Sequence, residues 1–237
     1  MEENIQEIIE NALKGHDARY IEIRLEEGES TRIRYRGQEL EEIGKSKGLG
    51  GCIRALASGW GFVSFNDLRG LREKVAIAVR SARLVASNGI TLADVAPVVD
   101  VVPPIVKQNP NSVSLKDKKA ILDQYVEDIW RTEGVTSSTI AYGDGHKKKV
   151  LATSEGTYIQ QETVDVIAYL SATARDGNDV QQSGVSLGAN GDYSWVEDLH
   201  DEASRVARRS GELLKAPQVK GGEYTVVLDP VLAGVFI

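Results

Sequence analysis

Gly184-Val-Ser186-Leu-Gly188 has the residue types and spacing of a nucleophile elbow, where a sharp strand-to-helix turn presents a serine to a histidine base. The flanking sequence does not supply that turn. Ala189-Asn190-Gly191-Asp192 follows where a helix should begin, and the only later histidine is His200. A glycine-rich hairpin tip is the better reading. Asp176-Gly177-Asn178-Asp179 opens like a calcium loop, but Gln181 stands where the loop needs Gly and Leu187 where it needs a bidentate Glu. His16, His146 and His200 lack ligand spacing to one another and read as surface histidines. Cys52, within a β pattern, reads as a small core residue.

Gly48-Leu-Gly50-Gly51 leads into a strand pattern rather than a helix N-terminus, so it suggests a bulge or close strand crossing, not a phosphate cradle. Arg32, Arg34 and Arg36 alternate along one strand, and cross-strand pairing with Glu22 and Glu26 is expected. Lys147-Lys148-Lys149 reads as an edge-strand guard against aggregation. No active site is legible within the chain.

The elements that would position these residues are read from periodicity. Ile5, Ile8, Ile9, Ala12 and Leu13 predict a first helix ending near Gly15. Alternation at 21–25 and 31–35 predicts two strands around the turn 27–30; further strands are expected near 39–47, 52–57 and 61–65. Leu68, Leu71, Val75, Ala78, Ala82 and Val85 predict a helix capped by Asn66 or Asp67. Pro97, Pro103, Pro104 and Pro110 mark an extended connector. Ser114-x-x-Asp117 then opens a third helix. Asp144-Gly145, Glu155-Gly156, Asp176-Gly177 and Asn190-Gly191 are turn signals around strands, one of them running through 158–174. A last amphipathic helix carries Leu199, Ala203, Val206, Ala207, Leu213 and Leu214. The fold class is α+β, with mostly antiparallel sheets and packed helices in two helix-strands-helix units.

The chain has 237 residues, enough for one large or two small domains. Its formal net charge of −7 argues against a dedicated nucleic-acid binder. A single cysteine excludes an internal disulfide and suits a reducing cytoplasm. The acidic N-terminus lacks the apolar core of a signal peptide, and no run approaches the about 18 apolar residues of a membrane span.

The final residues are the most informative. Residues 224–228 read as a buried strand, Asp229 as a helix N-cap and Pro230 as the first helical residue. The sequence then stops on Val235, Phe236 and Ile237, with no capping glycine and no polar tail. The expectation is the front of a longer protein, cut inside a helix.

Residues 48–68, containing Gly-Phe-Val-Ser-Phe-Asn-Asp-Leu, together with Ser154-Glu-Gly-Thr and the closing segment from Gly222, resemble the TldD/PmbA family over essentially the whole chain. The resemblance implies a zinc metallopeptidase that cleaves small or unfolded peptides. In its TldD branch such a closing segment runs into His-Glu-x-x-x-His. Two histidines and a later cysteine hold zinc there, and the Glu acts as general base. None of those residues lies in this chain, so no catalytic or metal role is carried over and no zinc is expected in this piece. The implied layout is an N-terminal domain over 1–215, with subregions 1–95 and 112–215, and the start of the metallopeptidase domain at 216–237. Asp229, Pro230, Val235, Phe236 and Ile237 would support the zinc helix. A homodimer or a heterodimer with a family paralogue is implied, as is a peptide substrate. A non-catalytic PmbA-type (TldE-type) partner subunit is the alternative; a DNA-associated module fits the charge poorly.

Overall fold

The computed structural model describes residues 4–85 and 89–236. One seven-stranded sheet organises the chain, in the order β3-β2-β1-β5-β6-β4, with β7 also on β6. The strands are β1 (Tyr20–Arg36), β2 (Glu39–Leu56), β3 (Trp60–Phe65), β4 (Val99–Val102), β5 (Val135–Thr153), β6 (Tyr158–Asp176) and β7 (Asp179–Asn190). All pairings are antiparallel except β4 with β6. The helices are α1 (Ile5–Leu13), α2 (Leu71–Leu84), α3 (Leu115–Trp130), α4 (His200–Leu214) and α5 (Pro230–Phe236).

Strand length is the dominant feature. At about 3.3 Å per residue, the 19-residue β5 and β6 span roughly 60 Å. That accommodates two helix pairs along one face. Ile21, Ile23 and Leu25 of β1 pack under α1 and α2, while Ile33 and Tyr35 of the same strand pack under α3 and α4. Alternation keeps its parity between these two sets, so both helix pairs lie on one face and the opposite face is open. β5 likewise serves both cores, with Ile140 and Tyr142 in one and Val150 and Ala152 in the other.

Several expectations are corrected by this continuity. The two helix-strands-helix units share strands and are not separate sheets. The turn expected at 27–30 lies inside β1, the strands expected at 39–47 and 52–57 are one, and Asp144-Gly145 lies mid-strand in β5. Glycine-polar pairs in these long strands carry no apolar side chain because they span the gap between two cores. Gly184 to Gly188 lie within β7 rather than at a hairpin tip. β5 is central, so Lys147-Lys148-Lys149 guards no edge. Asp176-Gly177 does form the β6–β7 turn, with Gly177 at φ 58°.

Helix starts follow local chemistry unevenly. Ser114 accepts from the Asp117 N–H at 3.1 Å and donates to its carboxylate at 2.6 Å, as the capping pattern predicts. α2 instead starts at Leu71, behind Gly70 in the left-handed region. Asp67 caps no α2 nitrogen; it accepts from the Arg69 N–H at 3.0 Å and from Lys74 Nζ at 2.9 Å.

Candidate functional site

Between the two helix pairs, the inner face carries a polar band across four strands. Cross-strand register sets Lys47 of β2 opposite Glu29 of β1, and Glu29 opposite His146 of β5. Lys47 Nζ lies 2.9 Å from Glu29 and 3.2 Å from Glu27. His146 Nε2 lies 3.0 Å from Glu162 of β6, and Lys148 approaches that carboxylate at 3.8 Å. The Lys47 hydrogen bond holds the Glu29 carboxyl below its usual range and raises the Lys47 ammonium in return. Within the band His146 and Glu162 are joined by a side-chain hydrogen bond. No Ser, Thr or Cys side chain hydrogen-bonds to a histidine among the described residues, so the band lacks an activated nucleophile.

The band ends at a buried cluster. Lys118 of α3 meets Asp144 Oδ2 at 2.6 Å, and the Tyr142 hydroxyl donates to the same oxygen at 2.6 Å. Lys118 also reaches Thr31 Oγ1 at 3.3 Å. Burial pushes the Lys118 ammonium down, against the pull of Asp144, and drives the Tyr142 phenol far up. Asp144 Oδ1 is buried without a hydrogen bond.

The other histidines serve helix ends. His16 Nε2 sits 3.0 Å from the Ala12 carbonyl, and His200 Nδ1 lies 2.6 Å from Asp128. Among the described residues no three His, Cys, Asp or Glu side chains could hold a metal ion together. The His146–Glu162 pair has cationic Lys148 beside its carboxylate at 3.8 Å, which does not fit a catalytic metal.

The open face holds the remaining candidates. Buried Glu22 pairs with Arg24 at 3.0 Å and with Arg54 at 3.4 Å, and Arg54 stacks 4.4 Å over the Trp60 ring. Of the arginine row, Arg36 finds Glu41 at 3.2 Å; Arg32 and Arg34 make no ion pair among the described residues. Glu22 and Glu26 lie on β1 itself rather than on a neighbouring strand, and too far along it from Arg32 and Arg34 to pair with them. Cys52 is half-buried on this face rather than in a core, and burial raises its thiol.

At the chain's end, Asp229 caps α5: its Oδ1 accepts from the Leu232 N–H at 2.8 Å. Pro230 opens the helix. Residues 224–228 are not a strand and not buried; Val226 is 70% and Val227 96% exposed, because no neighbouring strand receives them among the described residues. Val235 and Phe236 are exposed, and Ile237 lies outside the described residues.

Two family models match, one after the other. PmbA/TldA metallopeptidase domain 1 covers residues 21–82, and the PmbA/TldA metallopeptidase central domain covers 108–214. The chain belongs to the PmbA/TldD metallopeptidase family. It is 36% identical over 224 residues to a metalloprotease of Synechocystis, covering 93% of this chain and 48% of that protein. It is 30% identical over 237 residues to a metalloprotease of Methanocaldococcus jannaschii, covering 98% of this chain and 52% of that one. The chain thus spans about half the length of the curated PmbA/TldD relatives it matches. A candidate modulator of a DNA gyrase from Thermotoga maritima shares the fold with a TM-score of 0.75 at 16% identity, over 92% of this chain and 50% of that one. TldE from Thermococcus kodakarensis does so at 0.65 and 16%, over 87% and 47%.

Proposed function

We propose that this chain is the N-terminal part of a TldD-type zinc metallopeptidase acting on peptides or unfolded protein segments. The observation that carries the reading is the pair of consecutive family matches in a chain spanning half of relatives named metalloproteases. In this reading, residues 1–215 shape access to the site and contribute dimer contacts. Residues 216–237 begin the catalytic domain. Asp229 and Pro230 start the helix that carries the metal ligands, and Val235, Phe236 and Ile237 bury its first turns against the rest of that domain. In this reading a His-Glu-x-x-x-His segment of the longer protein would hold zinc, which would supply Lewis-acid activation of a water, with the Glu as its general base.

Residues 1–237 by themselves bind no zinc and cleave nothing on this reading. Metal analysis and a peptidase assay test it: stoichiometric zinc or hydrolysis by this chain overturns it. The zinc-enzyme assignment is tested in the gene, where a His-Glu-x-x-x-His sequence after codon 237 supports it. A non-catalytic TldE-type partner subunit is the second reading, favoured by the fold shared with TldE, and a different following sequence selects it. The protein works in the cytoplasm as a homodimer or with a family paralogue. Among the described residues no helix is long and apolar enough to cross a membrane.

A further inference from the structure

The sheet leaves two long edges without a partner among the described residues, and they are built differently. Residues 39–50 of β2 extend beyond its pairing with β3, which covers only 51–56. That edge carries Glu39, Glu41, Glu42, Lys45 and Lys47. The other is β7, which pairs with β6 alone. Its twelve residues, DVQQSGVSLGAN, carry one charge, Asp179, at the turn end, with no lysine and no proline. Charge is the usual guard on an exposed edge. One edge of this sheet has it, and the other does not.

The open face beside β7 is also incomplete. Gly184, Ser186 and Gly188 point outward there, opposite Ser171, Tyr169 and Ile167 of β6. Ile167 stands between two glycines: a Cβ at Gly143 would lie 3.2 Å from it, and one at Gly188 3.6 Å. With no side chain on either flank, Ile167 is 61% exposed.

We infer that β7 is a docking edge for an extended, uncharged peptide segment, which adds to the sheet as a further strand. Main-chain hydrogen bonds supply binding, and alternate side chains supply selection. A large apolar side chain opposite Gly188 lies across that glycine onto Ile167, as aromatic residues do over edge glycines. A second copy of the chain fits less well. Pairing β7 with itself brings only Val180, Gln182, Gly184, Ser186, Gly188 and Asn190 to this face, and only Val180 among them is apolar. The inference rests on the peptidase reading for the extended nature of the segment; the unguarded edge stands on the fold.

Hydrogen exchange on the 237-residue chain, with and without dephosphorylated β-casein as an unfolded probe, tests it. Amides of β7 should gain protection while residues 39–50 do not. The double variant Ser186→Lys, Gly188→Lys should weaken probe binding at least tenfold with unchanged circular dichroism. Gly188→Val, which meets Ile167 at ordinary contact distance, should weaken it less and keep the fold. Absent protection, protection of 39–50 instead, or a doubled mass in sedimentation with β7 already protected overturns the inference. Because no hydrolysis is read, these results are separable from the peptidase assignment. A longer protein that holds metal and cleaves peptides with β7 unprotected sinks the edge alone; a protected β7 in a metal-free, inactive protein sinks the peptidase reading alone.

Discussion

Lys118 of α3 and Asp144 of β5 meet at 2.6 Å with side chains 1% and 0% exposed, which pins the second helix pair to the centre of the sheet. Asp144→Ala should destabilise the chain by about 3–5 kcal/mol, because it strands a buried ammonium. The paired change Lys118→Met, Asp144→Leu should cost far less than that single change. Urea unfolding of the three proteins checks this, and equal costs would show that packing, not charge pairing, dominates the site.

β3 lies against α2 where only glycine fits. A Cβ on Gly61 would overlap the Ala78 carbonyl oxygen and lie 2.6 Å from the Ala82 nitrogen. Gly61→Ala should cost at least about 1–3 kcal/mol, since backbone rather than a flexible side chain must yield. Gly44→Ala, with nothing within 4 Å of the added carbon, serves as the control. Their thermal midpoints should separate clearly.

Alkali should loosen the fold through its buried phenols. Burial, chiefly, pushes Tyr35 and Tyr125 from 10.0 up to about 12. Their folded state therefore holds the proton more tightly than the unfolded chain. The resulting stability is fully present below pH 10.0 and is lost as pH rises toward about 12. Denaturation midpoints should fall across that window alongside a late rise in tyrosinate absorbance. Tyr125→Phe should flatten the slope, while also losing the hydroxyl that accepts from the Leu199 N–H at 3.2 Å.

Residues 224–236 should drive self-association of the isolated chain. Val227 and Phe236 are 96% and 74% exposed in one apolar stretch. Val227→Asp with Phe236→Asp should change unfolding free energy by less than about 0.5 kcal/mol each, as surface substitutions do. Sedimentation at high concentration should show less association for the variant than for the parent.

Much of this architecture was readable from residue order. Helix faces such as Ile5, Ile9, Ala12 and Leu13 have the right period, and the Ser114–Asp117 cap lies where its chemistry requires. Strand continuity was not readable. Glu27-Gly28-Glu29-Ser30 has turn composition because it crosses the gap between two cores, where side chains meet polar neighbours across strands. The band from Lys47 to Glu162 was likewise hidden, since its members come from four strands and only register unites them. Asp229 was legible as a cap because capping is local. The surroundings of residues 224–228 were not, because burial depends on neighbours no local pattern names.

The through-running strands bear on how the protein is made. The first family domain stops at residue 82, yet Ile33 and Tyr35 within it line the core completed by the central domain. During synthesis the far half of β1 must wait, paired only with the charged half of β2, until β5 and β6 leave the ribosome. A gene exchange at the 82–108 junction would then bring together two half-cores that never evolved side by side. Recombination between relatives should succeed when β1 travels with β5 and fail when they are parted.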